Sequence, residues 1–215
     1  MNTPTKPMGM LVAAFDSTKV AQDEYDAWYD TEHIPDRQRV PGFLSWERWV
    51  SVENPRHTVA TYDLAHSDVL WSAPYLAIAR ENSTPWTRRV TGLCGRLLRF
   101  EGDQTLPGRA AGPAEAGGLL VNAMNCAPEA EADFNAWYDQ EHIPQLAAVP
   151  GCLVARRFVA TTSTHKYLAL YHLESPDVVL TEAWHKAVET PWTTRIRPHM
   201  QDRFRIVCRR YRAAA

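Results

Sequence analysis

Trp28 to Pro35 reads WYDTEHIP, and Trp137 to Pro144 reads WYDQEHIP, an offset of 109 residues. The offset persists outward. Tyr25 pairs with Phe134, Val40-Pro41-Gly42 with Val149-Pro150-Gly151, Arg48 with Arg157, and Tyr62 with Tyr171. After a shift of three residues, Thr84-Pro85-Trp86-Thr87 aligns with Thr190-Pro191-Trp192-Thr193. The period is far longer than the ~20–50 residues of a solenoid repeat, so each copy is expected to be a domain-sized unit with its own core. The expected units are residues 1–101 and 118–215, joined by a Gly-, Pro- and Ala-rich connection at 102–117.

Within each unit the pattern is the same. The apolar runs at 10–15 (MLVAAF) and 119–124 (LLVNAM) suit strands buried on both faces. Helical segments follow at about 20–33 and 128–142. Acidic residues in their first turns suit the positive end of the helix dipole, and the Ile-Pro step is expected to close each helix. Val-Pro-Gly turns the chain into second strands at 43–52 and 152–161, and third strands follow at about 57–64 and 166–173. Second helices are expected from Ser67 to about 79 and from Ser175 to about 189. A helical turn at Thr-Pro-Trp and last strands near 93–101 and 203–211 complete each unit. Each half is therefore β-α-β-β-α-β, the split, ferredoxin-like α+β arrangement, with one face of its sheet bare. Packing the two bare faces together covers both, which predicts an intrachain pseudo-dimer with a barrel-like core.

The 215 residues are 45% hydrophobic and 22% charged, a globular composition, and a formal charge of -2 offers no field for gathering a phosphate backbone. Nucleic acid and membrane partners are not expected. The apolar run at 8–15 is too short for a signal-peptide core or a membrane span, and the four cysteines lack CxxC spacing, which together suggest a cytoplasmic protein with reduced thiols.

The chemistry concentrates in the repeated motif. With Tyr25 set at zero and about 100° per residue, Trp28 falls near -60°, Glu32 near -20°, Tyr29 near +40° and His33 near +80°. Phe134, Trp137, Glu141, Tyr138 and His142 repeat the pattern. A carboxylate inside an aromatic face needs a cationic partner or a raised pKa, and the latter would make Glu32 and Glu141 proton carriers. His33 and His142, beside Tyr29 and Tyr138, are candidate general bases or acids. The alternative is structural: His caps the last carbonyls and Glu pairs with an arginine of the next strand. Trp28, Trp137, Trp86, Trp192, Tyr62 and Tyr171 are candidate pocket walls for a flat ligand. Asp63 corresponds to His172, a further candidate ligand contact, so two pockets need not be equivalent. Asp30 and Asp139 project toward solvent. No HExxH or two-His-one-carboxylate spacing is present, so no metal is expected, whereas a single axial His leaves haem open.

The run from Phe/Tyr through WYDxEHIP to VPG resembles the EthD-like branch of the dimeric α+β barrel superfamily, and the resemblance spans both halves. It implies two tandem ferredoxin-like domains packed sheet to sheet, with ligand pockets between sheet and helices. In such pockets His33, His142, Tyr29, Tyr138, Glu32 and Glu141 would stand. It also implies a cofactor-independent lyase or isomerase acting on an aromatic, polyketide-like or lactone small molecule. A ligand-binding protein and a haem or cofactor-free monooxygenase are the alternatives. Relatives dimerise from single-domain chains, so this chain is expected as a monomeric pseudo-dimer or a homodimer.

Overall fold

The computed structural model describes residues 6–212. Its strands are β1 (Gly9–Asp16), β2 (Phe43–Ser51), β3 (His57–Leu64), β4 (Gly95–Leu106), β5 (Gly118–Cys126), β6 (Cys152–Ser163), β7 (Tyr167–Leu173) and β8 (Met200–Arg210). They close an antiparallel barrel in the order β1-β3-β2-β8-β5-β7-β6-β4. Each half keeps the order of the split βαβ unit. The halves are joined at two seams, β2 against β8 and β4 against β6, so both sheets lose their free edges. The expected α+β class and sheet-to-sheet barrel are observed.

Alternation along the strands sorts residues between two environments. Met10, Val12, Trp49, Val59 and Phe100 from the first half meet Leu119, Val121, Phe158, Leu170 and Cys208 from the second in one interior cluster. The outer faces carry two separate clusters under the helices, around Tyr25, Trp28 and Tyr62 in one half and Phe134, Trp137 and Tyr171 in the other. Each half thus has its own helix-covered core, and the barrel interior belongs to both.

The helices are α1 (Gln22–Trp28), α2 (Ile34–Gln38), α3 (Ala73–Leu76), α4 (Pro85–Leu93), α5 (Glu131–Trp137), α6 (Ile143–Ala147), α7 (Glu182–Val188) and α8 (Pro191–Ile196). The first helix of each half does not stop at Ile-Pro. A wide π turn, Tyr29–His33 or Tyr138–His142, links α1 to α2 and α5 to α6, and the Ile34 and Ile143 N–H groups donate five residues back to the Tyr29 and Tyr138 carbonyls. Proline lacks an N–H and crowds the carbonyl four residues before it, and one extra residue in the turn relieves that conflict without ending the helix.

The second helices also differ from expectation. Ser67 begins only a 3₁₀ turn, Ser67–Trp71, and extended backbone at Ser72 and Thr181 separates it and its counterpart from α3 and α7. Ser72 and Thr181 are the N-caps, accepting from the backbone N–H of Tyr75 and Trp184. The Val-Pro-Gly turn depends on its glycine: Gly42 and Gly151 have φ of 100° and 86°. Residues 102–106, read from composition as connection, instead continue β4 along β6.

Candidate active site

The π turn decides where the motif side chains go. His33, five residues after Trp28, lies against it with ring centroids 4.4 Å apart, and His142 lies 4.1 Å from Trp137. In an uninterrupted α-helix the residue four after Trp28, which is Glu32, would hold that place. Glu32 turns instead to the start of α4. Its Oε1 accepts from the hydroxyls of Thr84 (2.6 Å) and Thr87 (2.9 Å), while the Trp28 indole N–H donates to Thr87 Oγ1 at 3.0 Å. The second half repeats this, with Thr190 donating to Glu141 at 2.5 Å and Trp137 to Thr193 at 3.1 Å. The two repeated motifs, WYDxEHIP and TPWT, thus bind each other.

The strand arginine pairs with aspartate, not with glutamate. Arg48 reaches Asp26 and Asp30, and Arg157 reaches Asn135 and Asp139. Asp30 and Asp139 are therefore anchored as well as partly solvated. The same guanidinium groups lie 4.5 Å over Tyr29 and 4.7 Å over Tyr138, which fixes both rings.

A cavity lies between sheet and helices in each half. The first, of about 310 Å³, is bounded by Leu11, Ala13 and Phe15 of β1, Tyr62 of β3, and His33, Arg37, Tyr75 and Arg99. The second, of about 140 Å³, is bounded by Asn122, His142, Tyr138, Tyr171, Trp137 and Trp184. His33 Nδ1 and Tyr62 Oη on the first, and His142 Nδ1, Tyr171 Oη and Asn122 Oδ1 on the second, are buried without a protein partner. The ring centroids of His33 and Tyr62 are 6.5 Å apart, and those of His142 and Tyr171 are 6.4 Å apart.

Electrostatics sets the protonation states. Burial, with further repulsion from Arg37, Arg99 and Arg48, holds His33 well below the usual imidazole range. Burial alone pulls His142 down to about 3. Tyr62 and Tyr171 are pushed well above 10, again chiefly by burial. Each cavity thus presents a neutral imidazole and a protonated phenol, an acceptor and a donor both without protein partners.

Not every candidate reaches a cavity. Tyr29, Trp28, Glu32 and Glu141 stand behind the walls, and Trp86 and Trp192 pack on the outer clusters, where Trp192 donates to Asp133 at 3.0 Å. His172 occupies the opposite face of β7 from Tyr171. There it points into the barrel, 3.3 Å from Arg156 Nη2. Sequence reasoning missed Arg37, Arg99, Tyr75, Asn122 and Trp184. For Arg37 a signal existed: its aligned partner is Leu146, a charge facing an apolar residue between the shared Ile-Pro and Val-Pro-Gly steps. Among the described residues no three His, Cys, Asp or Glu side chains gather as a metal site, and no helix is long and apolar enough to cross a membrane.

No family model and no curated protein matches this chain. Solved structures do. A candidate monooxygenase from Fusobacterium nucleatum subsp. nucleatum superposes with a TM-score of 0.66 at 9% identity, covering 96% of this chain and 94% of its own. An anthrone oxidase-like protein gives 0.67 at 12% identity, with 96% and 92% covered. A mutant chlorite dismutase from Candidatus Nitrospira defluvii gives 0.63 at 10% identity, with 95% and 91% covered. The fold is that of the dimeric α+β barrels. Identities this low speak to the architecture, which the α+β barrel of this chain shares over nearly its full length, and leave the chemistry to the cavity.

Proposed function

We propose that this α+β barrel is an EthD-like, cofactor-independent enzyme that moves a proton on an aromatic, polyketide-like or lactone molecule, with a lyase or isomerase outcome. The supporting observation is the unpartnered His33–Tyr62 pair on a cavity at the lower end of the ~300–1,000 Å³ of small-ligand pockets. Neutral His33 takes the proton, and the Tyr62 hydroxyl donates to the enolate or phenolate oxygen that develops. Glu32 acts behind them as a positioning residue, through Thr84 and Thr87. The neighbours' printed names favour one other outcome of the same first step, a cofactor-free monooxygenase in which the carbanion meets dioxygen.

Haem fits poorly. The cavities holding His33 and His142 are about 310 and 140 Å³, and each imidazole packs at a tilt against a tryptophan ring, which leaves no slot for a porphyrin beside an axial ligand.

Deuterium wash-in from D2O, followed by NMR over a panel of aryl lactones and β-keto aromatics, tests the reading. His33→Asn is expected to slow exchange by about 10²–10⁴-fold. His142→Asn, in the smaller cavity, is expected to cost far less. Full activity in His33→Asn would sink the proposal, and equal losses from both variants would remove the asymmetry. Ligand affinity without any exchange would favour a binding protein.

A further inference from the structure

The first cavity is lined by five arginines, Arg37, Arg80, Arg88, Arg96 and Arg99, and by no aspartate or glutamate. Three of them, Arg80, Arg88 and Arg96, stand exposed around its mouth. Arg99 lies deeper and already has an acid, with its Nε 2.8 Å from Glu101 Oε1. Arg37 is the exception. It is 6% exposed, yet among the described residues its guanidinium makes no hydrogen bond or ion pair. The other buried guanidiniums of this chain are all matched: Arg48 by Asp26 and Asp30, Arg156 by Asp63, and Arg157 by Asp139. A guanidinium that lacks a counter-charge in the protein and faces a cavity is a seat for an anion.

The fold does not require this charge. In the second half Leu146 stands where Arg37 does and Thr194 where Arg88 does, and Arg197 at that cavity is met by Glu189. The second cavity has arginines of its own at Arg203 and Arg205, both exposed, but none at the place of Arg37, so the buried, unpaired guanidinium is what sets the first cavity apart.

We propose that the first-half cavity takes an aromatic carboxylic acid, its carboxylate seated on Arg37 and its ring against His33 and Tyr62. The inference deepens the proposed function, because it places the substrate of that same site. A planar guanidinium matches a carboxylate bidentately, and a cavity of about 310 Å³ accommodates little more than one substituted ring. The seat also bears on the base. His33 faces Arg37 of α2, Arg48 of β2, Tyr62 of β3 and Arg99 of β4, and an anion on Arg37 offsets the cationic field that opposes its protonation. An acid is then a better substrate than its neutral amide for electrostatic reasons, beyond its tighter binding.

Calorimetric titration with sodium salicylate and with neutral salicylamide tests this on the full chain. Salicylate is expected to bind once, at least ~10-fold more tightly than salicylamide, as for a charge-assisted contact. Arg37→Leu, which installs the residue of the second half, is expected to abolish that preference, and Arg37→Lys to retain part of it. Equal affinities, a preference unchanged in Arg37→Leu, or no saturable binding of salicylate at about 10 mM would each overturn the proposal. If Arg37→Leu does not fold, the native ratio together with Arg37→Lys decides. His33→Asn keeps the two proposals apart: it should lose proton exchange and keep the salicylate preference. A native chain that prefers salicylate but exchanges no proton sustains the anion seat and sinks the catalytic reading.

Discussion

An imidazole held in an apolar wall becomes a liability once the solution is acid enough to protonate it in the unfolded chain. His142 is 5% exposed, and burial pulls it down to about 3, against roughly 6.5 when unfolded. Between those values the unfolded state binds the extra proton. Stability is therefore complete above about 6.5 and declines as the pH falls toward 3, at ~1.4 kcal/mol per pH unit. His33 and His172 are shifted in the same direction, both chiefly by burial. Urea unfolding at pH 7 and pH 5 is expected to show His142→Gln losing about 2 kcal/mol less than the native chain over that interval. Parallel losses in the two proteins would mean that His142 is protonated in the folded state.

At the scale of elements, the clamp between the π turn and the next helix carries the site. Thr87 accepts from Trp28 and donates to Glu32, and Thr193 accepts from Trp137, so each hydroxyl is a junction between motif and helix start. Thr87→Val is nearly isosteric and leaves the Trp28 N–H without its acceptor, a loss of about 1–3 kcal/mol. Because the clamp holds Trp28, against which His33 packs, the same variant should also lower proton exchange, and Thr193→Val should lower stability alone. Denaturation curves and wash-in rates measured side by side check both. Unchanged exchange in a destabilised Thr87→Val would confine the clamp to a structural role.

Elements differ in how far the sequence discloses them. The strands were legible because period-2 burial and apolar runs are local signals, and the Val-Pro-Gly turn because only glycine accepts its φ. The direction of Glu32 was not legible, since a helical wheel assumes a fixed turn angle and one extra residue in Tyr29–His33 rotates everything beyond it. Pro35 was the available clue: a proline inside a helical run asks for relief in the preceding turn. Residues 102–106 were hidden for another reason, because they are strand only by virtue of β6, a partner some 55 residues away whose pairing leaves no mark on local composition. His33 stands out because the second copy repeats it as His142, whereas Arg37, replaced there by Leu146, carries no such mark.

For the whole molecule, the common barrel interior and the charges at one of its ends bind the halves together. Where β1 and β5 begin, Asp63 of the first half meets Arg156 of the second at 2.5 Å, with side chains 4% and 1% exposed. Arg210 of the second half pairs with Glu47 of the first in the same sense. The chain between β4 and β5 seals this end: the Gly112 N–H donates to Asp63, and the carbonyls of Ala110, Pro113 and Ala116 accept from Arg156 and Arg210. Asp63→Ala leaves Arg156 as a buried, uncompensated cation and is expected to cost about 3–5 kcal/mol, whereas Asp63→Ala with Arg156→Met should recover most of that loss. Unfolding either half alone would expose Phe100 or Phe158 in the shared cluster, so the native chain should unfold in one transition, coincident by tryptophan fluorescence and far-UV circular dichroism. Two separated transitions, with Asp63→Ala shifting only the first, would show instead that each half stands on its helix-covered core and that the barrel interior adds little.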